Sequence, residues 1–355
     1  MALTRIANIP STIPDDSIAN VKMANIVQSK NSLINGDMQV SQRGTSFASN
    51  GYTLDRYTMD ESTDGAVTVT QDTDVPSGYG FAKSLKVDCT TADASIGAAQ
   101  YCGFTQLIEG QNLQYLKYGT SSAQTLTLSF WVKSVKTGTY CVRFVKEAGS
   151  GTRYECPIEY TISSASTWEK KTITLTPTAG STSLITAANG AIVNSNASGF
   201  RVFFTLATGS DFHATNNTWV AGSDKLGTSN QVNFLDSTSN DFWITGIQLE
   251  AGDTASEFEF LPYDINLARC QRYYFQTLAS QWLYAINSTN ANSRSEVVFK
   301  CTMRDTPTAG SVAFSNSGTA TGTQNANKNH VTVYVNGIGA ADTSLNSGAT
   351  FAAEL

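Results

Sequence analysis

Two histidines, His213 and His330, are the only imidazole groups available for acid–base chemistry near neutral pH. A Ser/His/Asp or Cys/His mechanism needs one of them beside a nucleophile and a third, orienting group. Neither lies in a G-x-S-x-G or comparable context, since His213 sits in a polar stretch and His330 begins a predicted strand. Acid pairs of the glycosidase kind, such as Asp60 with Glu61, are ordinary in a chain with 29 acidic residues. We therefore predict that the chain is not an enzyme.

Aromatic side chains are the second group that could act on a ligand. Sugar rings stack on aromatic faces, while amides and carboxylates bind the sugar hydroxyls. Trp131 lies in the apolar run SFWVKS and is predicted to be core, and Trp168 is predicted to pack at the start of a strand. The polar loop 211–224 holds a tryptophan without strand neighbours. If the chain binds glycans, this loop is the predicted site, with Trp219, Asn216, Asn217 and Asp224 as its residues. The alternative is that Trp219 anchors the loop on the domain.

The composition favours an all-β protein and excludes several classes of partner. Of the 355 residues, 41% are hydrophobic and only 15% charged, while 45 Thr and 38 Ser supply a polar surface of small hydroxyls. The net charge is −6 and no Lys/Arg run exceeds two residues, so there is no basic face to neutralise phosphates. No stretch approaches the roughly 18 apolar residues of a membrane span. We predict no nucleic-acid partner and no membrane insertion.

The six cysteines stand far apart in the sequence and form no C-x-x-C pair. This spacing matches neither a zinc site nor a disulfide scaffold. It is typical of buried, free thiols in a chain that folds in a reducing cytoplasm.

Strand patterns fill the chain from about residue 31 to about residue 262. Alternating or β-branched runs occur at 67–72, 84–89, 125–134, 140–146, 170–177, 199–207 and 241–250, with Gly/Ser/Asn/Asp turns between them. No helical period of useful length intervenes, so parallel βαβ units are excluded. We predict an antiparallel jelly-roll β-sandwich over 31–265.

Two further segments flank this sandwich. A short amphipathic stretch, INLARCQRYYFQT, is predicted to form one or two helical turns before a strand, and 266–355 to form a small C-terminal β domain. Residues 1–30 cannot form a core alone and are predicted to be an arm that orders against a partner. The apolar residues of this arm are Ile18, Val21, Met23 and Ile26.

Several sequence stretches resemble a β-sandwich domain of bacteriophage tail and head fibre proteins. The resemblance begins at NSLINGDMQVSQRGTSF and YTLDRY and continues through LTLSFWVKSVKTGTYCV and STWEKKTITL. It ends in WITGIQLEAGDTASEFEFLPYDINLARCQRYY, its most specific part, and covers about residues 31–275 in order. The fibre domain is itself similar to carbohydrate-binding-module jelly rolls. Those modules commonly hold a structural calcium between their first and last strands.

The residues at the two calcium positions depart from that pattern. The first element reads Asn35-Gly36-Asp37, but the Asp pair expected near the last strand is replaced by Thr245 and Gly246. Calcium takes six to eight oxygen ligands, several of them charged. The missing carboxylates argue against this ion, so we predict no cofactor and no metal.

The resemblance implies a virion protein on the exterior of tail or capsid, made in the host cytoplasm. It also implies a homotrimer whose N-terminal arm docks on other virion proteins. The hypothesis for its role is host attachment through weak, multivalent binding to surface polysaccharide. The alternative is a purely structural capsid decoration or tail adaptor without a ligand.

Overall fold

Two antiparallel sheets face each other across one core in the computed structural model. The structure describes residues 30–48, 50–149, 152–222, 224–277, 282–283, 293–310, 313–314, 320–336, 343–347 and 349–355. Strands are numbered along the chain. The first sheet has six strands in the order β1 (Ser46–Ala48), β4 (Ala66–Asp72), β5 (Ser84–Thr91), β13 (Asp241–Ala251), β7 (Leu126–Ser134) and β10 (Glu169–Leu175). The second has seven, in the order β12 (Val220–Ala221), β9 (Tyr154–Ile162), β8 (Gly138–Lys146), β11 (Ser198–Thr208), β6 (Tyr101–Glu109), β3 (Thr58–Ser62) and β2 (Gly51–Tyr52).

Alternation along the strands decides which side chains enter the core. On β5, Leu85 and Val87 are fully buried, whereas the intervening Lys86 and Asp88 point outward. This period of two lets each sheet bury one face against the other. The predicted all-β class and antiparallel sandwich are confirmed.

A bulge in β13 reverses this alternation midway along the strand. The pairing of β13 with β7 shifts register between Thr245 and Gln248, where Gly246 adopts a φ of 63°. Before the bulge Ile244 faces the core, and after it Ile247 does. The extra residue keeps both halves of a long strand in contact with one core.

The helical segments among the described residues are short. Helix α1 spans Tyr263–Gln271, and five 3-10 segments occupy Gly110–Leu116, Ala179–Ser181, Ala188–Gly190, Ser210–Phe212 and Phe234–Asp236. The predicted short helix before a strand is confirmed, because α1 leads into β14 (Tyr274–Gln276). In the part of the chain that the structure describes, no helix has the length and apolar character needed to cross a membrane.

In the C-terminal unit the described residues form three small antiparallel sheets. One pairs β14 with β22 (Thr350–Ala352) and β17 (Thr308–Ala309), and another pairs β16 (Ser293–Val298) with β20 (His330–Asn336) and β19 (Ala320–Gln324). The third contains β15 (Trp282–Leu283), β21 (Thr343–Ser347) and β18 (Ala313–Phe314). A separate apolar cluster, which includes Phe275, Phe299 and Phe351, packs inside this unit. The proposed domain bounds at 30/31 and 265/266 stay a prediction.

Hydrogen-bonded charges join the C-terminal unit to the sandwich. The buried Glu109 at the end of β6 accepts bonds from Arg272 Nε (2.7 Å) and from the Tyr273 hydroxyl (2.5 Å). Burial raises the pKa of Glu109, but these bonds outweigh it, so the net pKa lies below its usual value. The CQRYY stretch therefore forms a junction between the sandwich and the C-terminal unit within the chain.

Residues 353–355 are fixed to the sandwich by the same means. Arg43 and Arg56 both form ion pairs with Glu354, and Arg304 donates to the Ala353 carbonyl at 2.6 Å. A small apolar cluster contains Ile34, Val40, Cys270 and Tyr273, and Leu355 packs against it.

The cysteines agree with their predicted state. Five are buried and Cys301 is half-buried, and none forms a disulfide. Burial raises the pKa of Cys89 to about 11. These thiols are therefore protonated and unreactive.

Candidate functional site

The tryptophan that the sequence singles out is not available to a ligand. Trp219 is only 1% exposed and belongs to the core of the sandwich. Its Nε1 donates a hydrogen bond to the Thr176 carbonyl at 2.9 Å. As a stacking platform for sugars, this prediction is wrong. The ring fills space between the sheets instead, so the alternative reading, a loop anchor, holds.

The other residues of that prediction fasten the loop to the sheet. Asn216 accepts a bond from the Glu159 backbone amide (3.0 Å), and Asn217 donates its own amide to the Pro157 carbonyl (2.8 Å). The carboxylate of Asp224 lies 3.5 Å from Arg143 Nη2. The four predicted residues are therefore not gathered around a common opening. The predicted virion-anchor residues Ile18, Val21, Met23 and Ile26 lie outside the described residues.

Residues 209–222 and 224–232, here called the covering segment, lie over the outer face of the seven-stranded sheet. The Thr205 hydroxyl donates to the Leu226 carbonyl at 2.5 Å, and Thr228 Oγ1 donates to Glu159 at 2.6 Å. Thr205 is fully buried although its side chain points away from the core. This face is thus closed by the chain itself.

A buried charge network lies beneath the covering segment. Glu155, whose side chain is inaccessible, forms ion pairs with Arg143 (2.6 Å) and Arg153 (2.7 Å) and accepts the backbone amides of Asp224 and Lys225. Burial lowers the pKa of Arg143, and the Glu155 charge opposes that shift. The network binds the segment to the sheet.

The outer face of the six-stranded sheet carries three of the five tryptophans. Trp131 points outward from β7, Trp243 from β13, and Trp168 directly precedes β10. We call this surface the tryptophan face. The prediction that Trp131 is core is wrong: its neighbours Phe130 and Val132 are fully buried, whereas Trp131 is half-buried. The side chains of the apolar run SFWV alternate between the core and the outer face. The sequence does not reveal this, because a tryptophan on the outer face is as apolar as its buried neighbours.

Lysines stand between the tryptophan rings. Lys133 Nζ lies 4.0 Å from the centre of the Trp243 ring and 5.7 Å from that of Trp168. Lys86 Nζ lies 5.2 Å from the Trp243 ring. These cation–π contacts enclose Trp243, which is 9% exposed. Trp131 and Trp168 remain partly open to solvent.

The loop between β4 and β5 completes the tryptophan face. Asp74 forms an ion pair with Lys133 and accepts a bond from Trp168 Nε1 at 2.9 Å. Tyr79, which is 54% exposed, packs against Trp131 with ring centres 4.2 Å apart and ring planes tilted by 47°. The loop therefore fixes the orientation of two tryptophans and adds an exposed aromatic ring.

A cluster of phenylalanines continues the aromatic surface beyond Trp131. Phe81, Phe258 and Phe260 have ring centres 4.9–5.2 Å apart. Gly246 makes room for them, since a Cβ there would lie 2.6 Å from Phe81 and 3.2 Å from Trp131. The bulge glycine thus permits close packing of the rings on this face.

Two acidic side chains face each other at the edge of the tryptophan face. Asp88 on β5 pairs with Asp241 on β13, and Lys86 lies 3.0 Å from Asp241. Partial burial, followed by the hydrogen bond and charge of Asp241, raises the pKa of Asp88. The face therefore offers aromatic rings, carboxylates and ammonium groups, which is the set that binds hydroxylated sugars.

The positions that would frame a calcium in related folds are occupied by protein contacts. The Gly36 carbonyl accepts the Ile247 amide at 2.9 Å, and Asn266 donates to Asp37 at 3.1 Å. Burial raises the pKa of Asp37, which disfavours its charged form. Among the described residues no group of three or more His, Cys, Asp or Glu could hold a metal ion. The absence of a cofactor stays a prediction.

The histidines contact no nucleophile among the described residues. His213 Nε2 lies 3.3 Å from the Thr208 carbonyl, and His330 Nδ1 lies 2.7 Å from Glu296.

The sequence matches no protein-family model and no curated protein. Among solved structures, the chain is similar to the enzymatically active domain of tailspike protein 4 of bacteriophage CBA120, at 16% identity and a TM-score of 0.35, over 63% of this chain. The match spans only 22% of the tailspike domain.

Carbohydrate-binding modules are also among the similar structures. The family 11 module of a Clostridium thermocellum cellulosomal cellulase is 14% identical with a TM-score of 0.28, over 61% of this chain and 99% of that one. A family 22 xylan-binding domain is 14% identical with a TM-score of 0.31, over 61% of this chain and 99% of that one. Such TM-scores carry no argument about the function of this chain.

Proposed function

We propose that the chain binds glycans through the tryptophan face and serves in a phage virion appendage that attaches to host surface polysaccharide. The observation that carries the proposal is the grouping of Trp131, Trp168 and the exposed Tyr79 on one sheet face, with the partly exposed Asp74 among them. The Trp168 ring is already held by its hydrogen bond to Asp74, and the Trp131 ring by its contact with Tyr79. A ligand would therefore lose little affinity to the ordering of side chains.

The virion part of the proposal rests on the resemblance of residues 31–275 to fibre-protein domains. We propose a non-enzymatic homotrimer on the exterior of tail or capsid, docked to other virion proteins through residues 1–30. Three weak sites on one particle would give firm attachment through a high effective concentration.

One observation favours the purely structural alternative. Lys133 and Lys86 both lie over Trp243, which is only 9% exposed, so this ring strengthens the sheet rather than contacting a ligand. In that reading the tryptophan face is a stiffening ladder of a capsid decoration or tail adaptor. A purely structural role, however, does not require the side chains of Tyr79 and Trp168 to be accessible to solvent.

A glycan array probed with the purified full chain tests the proposal. We expect Tyr79→Ala and Trp168→Ala each to weaken binding at least about tenfold, since a stacked aromatic contributes on the order of 1 kcal/mol or more. The control is Tyr263→Ala, because Tyr263 is exposed to a similar degree (56%) but lies on helix α1. Binding that is absent from the array, or equal in all four proteins, would contradict the proposal.

A further inference from the structure

A cavity, here called the junction cavity, lies where the sandwich meets helix α1. Its volume is about 440 Å³, within the range of about 300–1,000 Å³ that holds small ligands. Three parts of the chain line it: the first described segment, the end of β6 with the 3-10 turn that follows, and the end of α1. None of its lining residues belongs to the tryptophan face.

The two charged residues that line the junction cavity are both cations. Arg272 donates Nε and Nη2 to Glu109 and Nη1 to the Thr302 carbonyl, which uses three of the five N–H groups of a guanidinium. Arg269 is the second cation, and burial lowers its pKa although Glu259 opposes that shift. Their counter-charges, Glu109 and Glu259, are not among the lining residues, so an anion entering the cavity would approach the guanidinium groups rather than the carboxylates.

The rest of the lining suits a hydroxylated molecule. Tyr115 and Tyr273 supply aromatic walls, and the Tyr115 hydroxyl lies 2.6 Å from Ser32 Oγ. Gln111 donates its amide nitrogen to Glu109, which leaves its carbonyl oxygen as an acceptor. Asn112 adds an exposed side-chain amide at the rim. Rings and amides of this kind recognise the faces and hydroxyls of sugars.

We propose that the junction cavity binds a monosaccharide bearing a carboxylate, that is, a uronic acid. The carboxylate faces Arg269 and Arg272, and the sugar hydroxyls face Gln111, Asn112 and Tyr115. The site is independent of the tryptophan face, so it can fail without affecting the proposed function.

Calorimetric titration of the full chain with D-glucuronate, D-glucose and acetate tests the inference. We expect glucuronate to bind at least about tenfold more tightly than either of the other two, because only it makes charge-assisted and hydroxyl contacts together. If glucose bound as tightly as glucuronate, the arginines would not contribute to binding. If acetate bound as tightly as glucuronate, the sugar ring and its hydroxyls would not contribute. Either result, or no binding of glucuronate, overturns the proposal.

A pair of charge variants locates the site. Asn112→Asp places a negative charge at the cavity rim and should weaken glucuronate binding about tenfold. Asn189→Asp makes the same change at another exposed position, which does not line the cavity, and should leave the affinity unchanged. Both variants should bind glycans at the tryptophan face like the parent chain. Equal glucuronate binding by both variants would overturn the assignment to this cavity.

Discussion

The outer faces of the two sheets differ: one is covered by a segment of the chain, and the other is exposed to solvent at several aromatic side chains. On the seven-stranded sheet the covering segment buries Arg143 and Glu155, so charges that would normally contact water hold a loop in place. On the six-stranded sheet none of the described residues forms such a segment over the tryptophan face, and Tyr79 and Trp168 remain accessible. The tryptophans therefore have different roles: Trp219 inserts into the core and anchors its loop, whereas Trp168 is part of a surface.

The strongest test of this contrast compares those two tryptophans. Trp219→Ala should lower the free energy of unfolding by about 3–5 kcal/mol, because it removes a fully buried aromatic from the core. Trp168→Ala should lower it by about 1 kcal/mol or less and should abolish most glycan binding. Urea unfolding and glycan binding, measured on both variants, check the expectation. Equal losses of stability would erase the distinction between the two tryptophans.

The buried ion pair under the covering segment gives the next largest effect. Glu155→Gln should cost about 3 kcal/mol, because it leaves Arg143 buried without its counter-charge. Glu257→Gln makes the same change at an exposed position and should shift stability by less than about 0.5 kcal/mol. Urea unfolding of both variants measures the difference. A Glu155→Gln protein as stable as its control would mean that the network does not hold the segment.

The acidic pair on the open face gives the smallest effect, with a defined pH dependence. Because the folded pKa of Asp88 is raised, the parent chain gains stability as the pH falls through that pKa and lacks this contribution at neutral pH. Asp88→Asn should therefore be slightly more stable than the parent at pH 7, by less than about 0.5 kcal/mol. The advantage should shrink in acid.

Thermal unfolding at several pH values measures the Asp88 effect, with Asp64→Asn as an exposed control. A variant less stable than the parent at pH 7 would show that the two carboxylates do not repel each other.

The strands were predictable where apolar and polar residues alternate, and less so where a glycine or a proline interrupts the pattern. The sequence patterns identified seven long strands but not β6 or β9, which carry Gly103 and Pro157 in their interiors. Both are tolerated because of tertiary context. A Cβ at position 103 would lie 2.3 Å from Phe203, and Pro157 lies beyond the two residues of β9 that pair with β12. Neither condition is visible from local sequence.

The candidate site that the structure offers was predictable in kind but not in place. An aromatic surface with polar neighbours was expected, but at Trp219, because a tryptophan among polar residues looks exposed. Hydrophobicity alone cannot tell whether a loop folds back onto a sheet. For the tryptophan face a signal was present: Trp243 and Lys133 occupy alternate positions with buried residues on both sides, which places them outward.

The small cluster around Ile34 and Leu355 brings two distant parts of the described chain together and so has a consequence for chain connectivity. These two residues pack against the same side chains, Cys270 and Tyr273 among them, although nearly the whole described sequence separates them. Proteins whose entry and exit points lie close together tolerate insertion into other chains and circular permutation. A linker that joins position 355 to position 34 would have to span only this cluster, so the described fold should tolerate circular permutation at these positions.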